Sequence, residues 1–172
     1  MNNLMVKRDP IIKTEKTKNK NMYRLFIQIE SKYTFVPSAV KIKQWVKAAL
    51  RHKVRKGELT IRLVNKKEIQ ALNKAYRRKN KPTNVLSFKA MIPKEVKLKV
   101  PLLGDLVICS EIVNEEAQNQ NKTKEAHWAH IIIHGSLHLL GYDHETEAEA
   151  EKMEAKEIRL LKSFGWSDPY QG

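Results

Sequence analysis

The chain has 172 residues, 33 Lys/Arg against 19 Asp/Glu, a formal net charge of +14 and one cysteine. That length favours a single domain able to bury a real hydrophobic core. One cysteine excludes an intrachain disulfide scaffold. The opening residues lack a secretory signal and no apolar stretch reaches membrane-spanning length, so the expectation is a cytoplasmic protein with no membrane partner.

The charge is unevenly placed. Residues 1–110 carry 27 Lys/Arg against 7 Asp/Glu, whereas residues 111–172 carry 6 against 12. A folded body built this way attracts a polyanion to one side, and nucleic acid is the obvious one; the bland alternative is a basic solubilising surface. The carboxylate-rich segment is expected to face elsewhere.

In chain order, residues 1–22 are polar, basic and without periodicity, which predicts a flexible basic arm ahead of a domain over 23–170. YRLFIQIE (23–30) suits a first strand. After Pro37 and Ser38, the segment SAVKIKQWVKAALRHK has apolar positions at Val40, Trp45 or Val46, and Ala49 or Leu50, the stripe of a helix that packs on a sheet. Gly57 ends it, and LTIRLV reads as a second strand by its β-branched content. KKEIQALNKAYRRKN predicts a helix with Ile69, Leu72, Ala75 and Tyr76 on its buried side. TNVLSF and LLGDLVICS predict two more strands, separated by the basic loop MIPKEVKLKVP. EIVNEEAQNQ and EAHWAHIIIHGSLHLL return to helix, the second ending at Gly141. Thr146 and Glu149 form the pattern of a capping box before a last helix, whose packing side is Ala150, Met153, Leu160, Leu161 and Phe164. The fold class is therefore α/β (α+β), a single compact domain with a small mixed sheet surrounded by helices.

The chemistry concentrates in HGSLHLLGYDH, residues 134–144. His134 and His138 lie four apart on one helical face, so their imidazoles can converge on one cation. Gly141 lets the chain turn and bring His144 back toward them. Three neutral imidazoles with a fourth position open make a catalytic Zn2+ site, and a cation held so lowers the pKa of bound water; other divalent transition metals fit the same ligands. His130 continues the four-residue stripe but stands two turns from His138, about 12 Å along the axis, so it is expected to be packed or to support a ligand, as is His127. Gly135 occupies the place of the glutamate of HExxH zinc peptidases, which argues against that alternative. Gly135 either admits a second backbone or avoids crowding the sheet. Asp143 either orients a ligand or caps its own turn, and Asp105 either lines a cleft at a strand end or serves a turn.

HGSLHLLGYDH, with EAHWAH before it and a carboxylate-rich helix and GWSDPY after it, resembles the YbeY family of bacterial rRNA-maturation endoribonucleases. ELTIRLVN, LNKAYRRKNKPTNVLSF and LLGDLVIC match in the same order, and the resemblance is dense from about Glu58 to Tyr170. It implies one zinc-type ion per chain on His134, His138 and His144, cleavage of single-stranded RNA, maturation of the 16S rRNA 3′ end, ribosome quality control, and the small ribosomal subunit as partner. It also implies a catalytic arginine at Arg77, whose fork of donors suits the charge of a phosphodiester in transition. Arg78 stands where the family commonly has glycine, and Lys89 where proline is frequent. The basic runs 51–56 and 77–81, with Lys94, Lys97 and Lys99, are candidates for guiding the strand. A non-catalytic RNA-binding ribosomal factor with a structural metal is the remaining alternative.

Overall fold

The computed structural model describes residues 22–30 and 35–171. The expected arm thus lies outside the described residues, apart from Met22, which opens the first strand. The elements run β1 (Met22–Ile29), α1 (Ala39–Leu50), β2 (Lys56–Val64), α2 (Lys66–Arg77), β3 (Val85–Lys89), β4 (Leu102–Cys109), α3 (Ser110–Asn119), α4 (Lys124–Leu139) and α5 (Glu147–Ser163). The four strands form one sheet in the order β1-β2-β4-β3, with β1, β2 and β4 parallel and β3 antiparallel to β4. This is the mixed α/β architecture that the alternation of periods predicts.

Polar side chains start the helices where the pattern changes. Ser38, Asn65, Thr123 and Thr146 each accept a hydrogen bond from a first-turn backbone N–H of α1, α2, α4 and α5. The capping box of Thr146 and Glu149 is complete. At such positions loss of the cap costs about 1 kcal/mol.

The sheet is packed on both faces, and the strands record it. In β2 the alternate residues Leu59, Ile61 and Leu63 join α1, α4 and α5 in the larger cluster, and Val64 at the strand's end turns to the other face. In β4 both faces are covered. Leu106 and Ile108 enter that cluster, while Val107 and Cys109 pack with Val64, Ile69 and Leu86 under α2. That is why LVIC reads as a continuous apolar run rather than an alternating one.

Two expected helix faces are corrected. In α2 the buried residues are Ile69 and Asn73, while Ala75 is exposed and Tyr76 is 62% exposed. Asn73 is inside because its amide donates to the carbonyl of Lys81 at 2.7 Å, closing the turn after the helix, a bond that apolar periodicity does not register. Tyr76 instead lies edge-on to Phe88, 5.1 Å between ring centroids. In α1, Val40 is exposed and Ile42 takes the inward place. The α2 segment also stops earlier than its composition suggests. Arg78 is in the left-handed region (φ 58°), with its N–H bonded back to the last turn, a place that glycine commonly takes at helix ends.

Candidate metal centre and active site

α4 is the spine of the site. Gly135 faces the sheet at closest approach: a Cβ there would meet Leu106 Cδ2 at 3.0 Å and Ser87 Oγ at 3.3 Å. Ser87 Oγ donates to the Gly135 carbonyl at 3.1 Å, fastening α4 to β3. The glycine therefore avoids crowding the sheet. A glutamate at 135 would start toward β3 and β4, which removes the geometric basis for an HExxH peptidase.

The C-terminal half of α4 carries His134 and His138, both half-buried, and the helix ends at Leu139, capped by Leu140, with Gly141 at φ 92°. The reversal brings the exposed His144 back. One ligand nitrogen from each of His134, His138 and His144 lies within 4.8 Å of the others. The three residues picked from spacing are brought together. Asp143 accepts from the backbone N–H of His144 at 2.8 Å, so it shapes the turn that presents the third imidazole. Asp105 sits within β4, exposed and paired opposite Phe88, in neither the turn nor the strand-end position considered for it.

The tautomers follow from the partners. His138 Nδ1 is 2.9 Å from the Tyr142 carbonyl, which only accepts, so Nδ1 carries the proton. His134 Nδ1 is 2.5 Å from Glu157 Oε1. Burial alone would raise the Glu157 pKa, but hydrogen bonds from His130, His134 and Tyr170 and the His134 charge hold it at about 2. Glu157 is thus a carboxylate, and His134 Nδ1 is the donor. The two remaining nitrogens, His134 Nε2 and His138 Nε2, face each other at 3.1 Å. Two imidazole lone pairs at that distance repel unless a cation or a proton lies between them. Nitrogens sharing a tetrahedral zinc at ~2.05 Å stand about 3.3 Å apart, so the pair fits a common ion. Burial, then the charges of His134 and His144, lower the His138 pKa, favouring the neutral form that a metal requires.

Glu157 is the residue that sequence reasoning missed. It is 0% exposed on the inner face of α5, among Met153, Leu160 and Leu161. Its two oxygens are shared by His134 Nδ1, the Tyr170 hydroxyl, which donates to Oε2, and His130 Nε2 at 3.5 Å. The available signal was an acidic residue at a position that the α5 periodicity assigns to the core. His130 supports the carboxylate rather than the trio, although His130, His134 and Glu157 form a second group of metal-binding type. His127 is buried elsewhere, its Nε2 2.8 Å from Glu116 Oε2.

Arg77, at the end of α2, donates to the Ser87 carbonyl at 2.9 Å and lies over the Phe88 ring, 5.3 Å from its centroid. Since Ser87 also holds Gly135, the guanidinium is tied to the strand that abuts the helix turn bearing His134. Its Nη1 also donates to the Tyr76 carbonyl at 3.4 Å, and the residue as a whole is exposed.

The model of the endoribonuclease YbeY family matches residues 26–165. The chain belongs to the YbeY endoribonuclease family. As a YbeY protein it is a hydrolase that cuts RNA internally. The solution structure of TM1509 from Thermotoga maritima is similar, with a TM-score of 0.51 and 25% identity over 88% of this chain and 100% of that one. The YbeY chain thus shares its fold over nearly its whole described length. Among the described residues, no helix is long and apolar enough to cross a membrane.

Proposed function

We infer that this protein is a metal-dependent endoribonuclease acting on single-stranded RNA, with one zinc-type ion held by His134, His138 and His144. The observation that carries the reading is the opposed pair of Nε2 atoms, 3.1 Å apart, each left bare because its ring's Nδ1 donates to a fixed acceptor. Three imidazoles favour zinc among abundant divalent ions and leave a coordination position for substrate or water. When bound, the ion supplies Lewis acidity and an activated water at neutral pH.

The chain's own groups do the rest. Glu157 keeps the proton on His134 Nδ1 and fixes the ring plane; the Tyr142 carbonyl does the same for His138. The exposed His144 completes the set from the rim, where a strand arrives. Arg77 offers its free donors to the equatorial phosphate oxygens as charge builds there, the role for which a planar guanidinium is suited. An unpaired strand can enter a shallow rim site and adapt to it, whereas an A-form duplex is rigid.

The family supports a substrate in ribosomal RNA: maturation of the 16S 3′ end on the small ribosomal subunit, with a part in ribosome quality control, in the cytoplasm. The deciding experiment is cleavage of a defined single-stranded RNA by the purified protein, with an unfolded protein offered in parallel. RNA cleavage stops on chelation and returns with stoichiometric zinc. Cleavage that persists without metal, or hydrolysis of the polypeptide instead, overturns the reading.

A further inference from the structure

We propose that a cationic groove between Tyr142 and one face of α5, flanked by the basic run that follows α1, is a second RNA subsite, holding the backbone phosphates of the strand as it leaves the metal centre. The assignment rests on the RNA-cleaving reading above and extends it to the path of the substrate.

The groove, of about 490 Å³, is lined by Tyr142, Lys152, Ala155, Lys156 and Arg159. Residues 152, 156 and 159 are spaced by four and three, which puts them on one face of α5. At about 100° per residue the same helix turns Glu147 and Glu154 roughly half a turn away and Glu151 about 100° away, while Glu149, nearer this face in the first turn, has its carboxylate bound back to Thr146 in the capping box. Only six Lys/Arg occur in residues 111–172, and half of them are on this one face. The acidic third of the chain therefore does not simply face away from the basic part. It sorts its charges and turns its cations toward the basic run at 51–56.

Lys53 reaches the groove at Tyr142, and the charges of the run and of α5 act on one another. Lys53 donates to the Leu140 carbonyl at 2.7 Å, at the negative end of α4, and its ammonium lies 5.2 Å from the Tyr142 ring centroid. Arg51 and Arg159 both act on Lys156, and Arg51, Lys156 and Arg159 on His52. Burial first, then these like charges, lower the pKa of Lys156 and of His52. Among the described residues, no carboxylate forms an ion pair with Arg51, Lys53, Lys152, Lys156 or Arg159. Uncompensated cations that already repel one another raise the energy of the free protein, and an arriving polyanion relieves it.

The location argues for the strand rather than for an acidic protein. Tyr142 contributes its ring to the groove and its carbonyl to His138 Nδ1, so the groove begins at the residue that orients a candidate ligand. On the way lies Gly141, where an added Cβ would be 3.9 Å from both Lys53 Nζ and Lys89 Nζ. Lys89 ends β3, the strand that anchors Arg77 through Ser87. Positive charge thus runs from Arg77 past the three histidines to Arg159, as a threaded single strand requires.

The test compares wild type, Lys156→Gln/Arg159→Gln, and Lys66→Gln/Lys67→Gln, which removes equal charge from the start of α2. Steady-state cleavage and fluorescence anisotropy are measured on the same 20-nucleotide single strand across a salt series. The groove variant raises KM and Kd by roughly tenfold at low salt and flattens the log–log salt slope by about 1.4, two phosphate contacts for a single strand, with kcat retained. The α2 variant follows wild type. Equal KM, Kd and salt slope in all three proteins overturn the subsite, as does polyglutamate displacing the RNA as effectively as unlabelled RNA does. Failure of wild type to cleave overturns the proposed function instead, and the anisotropy arm still judges the groove.

Discussion

Two histidines on α4, seven residues apart, each meet a carboxylate, and the outcome differs because opposite ring nitrogens make the contact. His127 points Nε2 at Glu116 and keeps Nδ1 buried without a partner. His134 points Nδ1 at Glu157 and keeps Nε2 free toward His138. Glu116 is further bound by the Asn84 amide at 3.1 and 3.2 Å, making a closed polar contact between α3, α4 and the start of β3. Glu157 closes only one side of its histidine. A carboxylate beside an imidazole is therefore structural or functional according to which nitrogen it leaves and what that nitrogen faces.

The largest expected contrast is between alanine substitutions. His138→Ala loses stoichiometric zinc and RNA cleavage falls to background, whereas His127→Ala keeps the metal and loses ~1–3 kcal/mol of stability by stranding Glu116. Metal analysis and denaturant melts on both proteins check this, and loss of zinc in His127→Ala breaks the comparison. His130→Ala is expected to keep one zinc per chain.

Arg77→Ala is expected to retain the metal and lower kcat by about 10²–10³, the usual effect of removing one preorganised donor. An unchanged rate per metal-loaded molecule removes Arg77 from the chemistry.

Glu157→Gln sharpens the comparison more finely, because the amide keeps the shape while losing the charge. Zinc affinity falls about 10- to 100-fold by competition titration, and excess zinc restores cleavage. The acid response carries a sign. The folded pKa of Glu157, about 2, lies below its ordinary 4.5, so its stabilisation is complete above pH 4.5 and is lost as the pH falls toward 2. Acid melts of Glu157→Gln are correspondingly flatter in that window. His138 is likewise depressed below its ordinary 6.5, by burial first, so a bound ion is expected to be released only as acid protonates that ring, which a metal-content titration against pH checks.

The smallest effect belongs to a turn. Arg78 holds a left-handed backbone where Gly141 does so after α4. Arg78→Gly is expected to raise stability by about 1 kcal/mol by relieving the Cβ, measured by urea melts.

Much of the fold was legible in local pattern. The strand and helix segments, the capping box and the stop at Gly141 each depend on residues within a turn of one another, and the structure contains them. Val40, Ala75 and Tyr76 were misassigned because helical period marks a stripe but not its edges, and because Asn73 is held inside by a distant carbonyl. Of the site, the three histidines follow from the period of one helix and one glycine turn.

By itself the sequence determined which imidazoles can converge, since residues four apart on a helix share a face whatever packs around them. It also determined that residue 135 carries no catalytic carboxylate. Only the tertiary structure decided that Glu157 lies under His134, that Asp143 serves its turn, and that Lys152, Lys156 and Arg159 join the basic run from α1. Those relations join side chains from separate elements, and their distances are set by packing across the core rather than by any spacing along the chain.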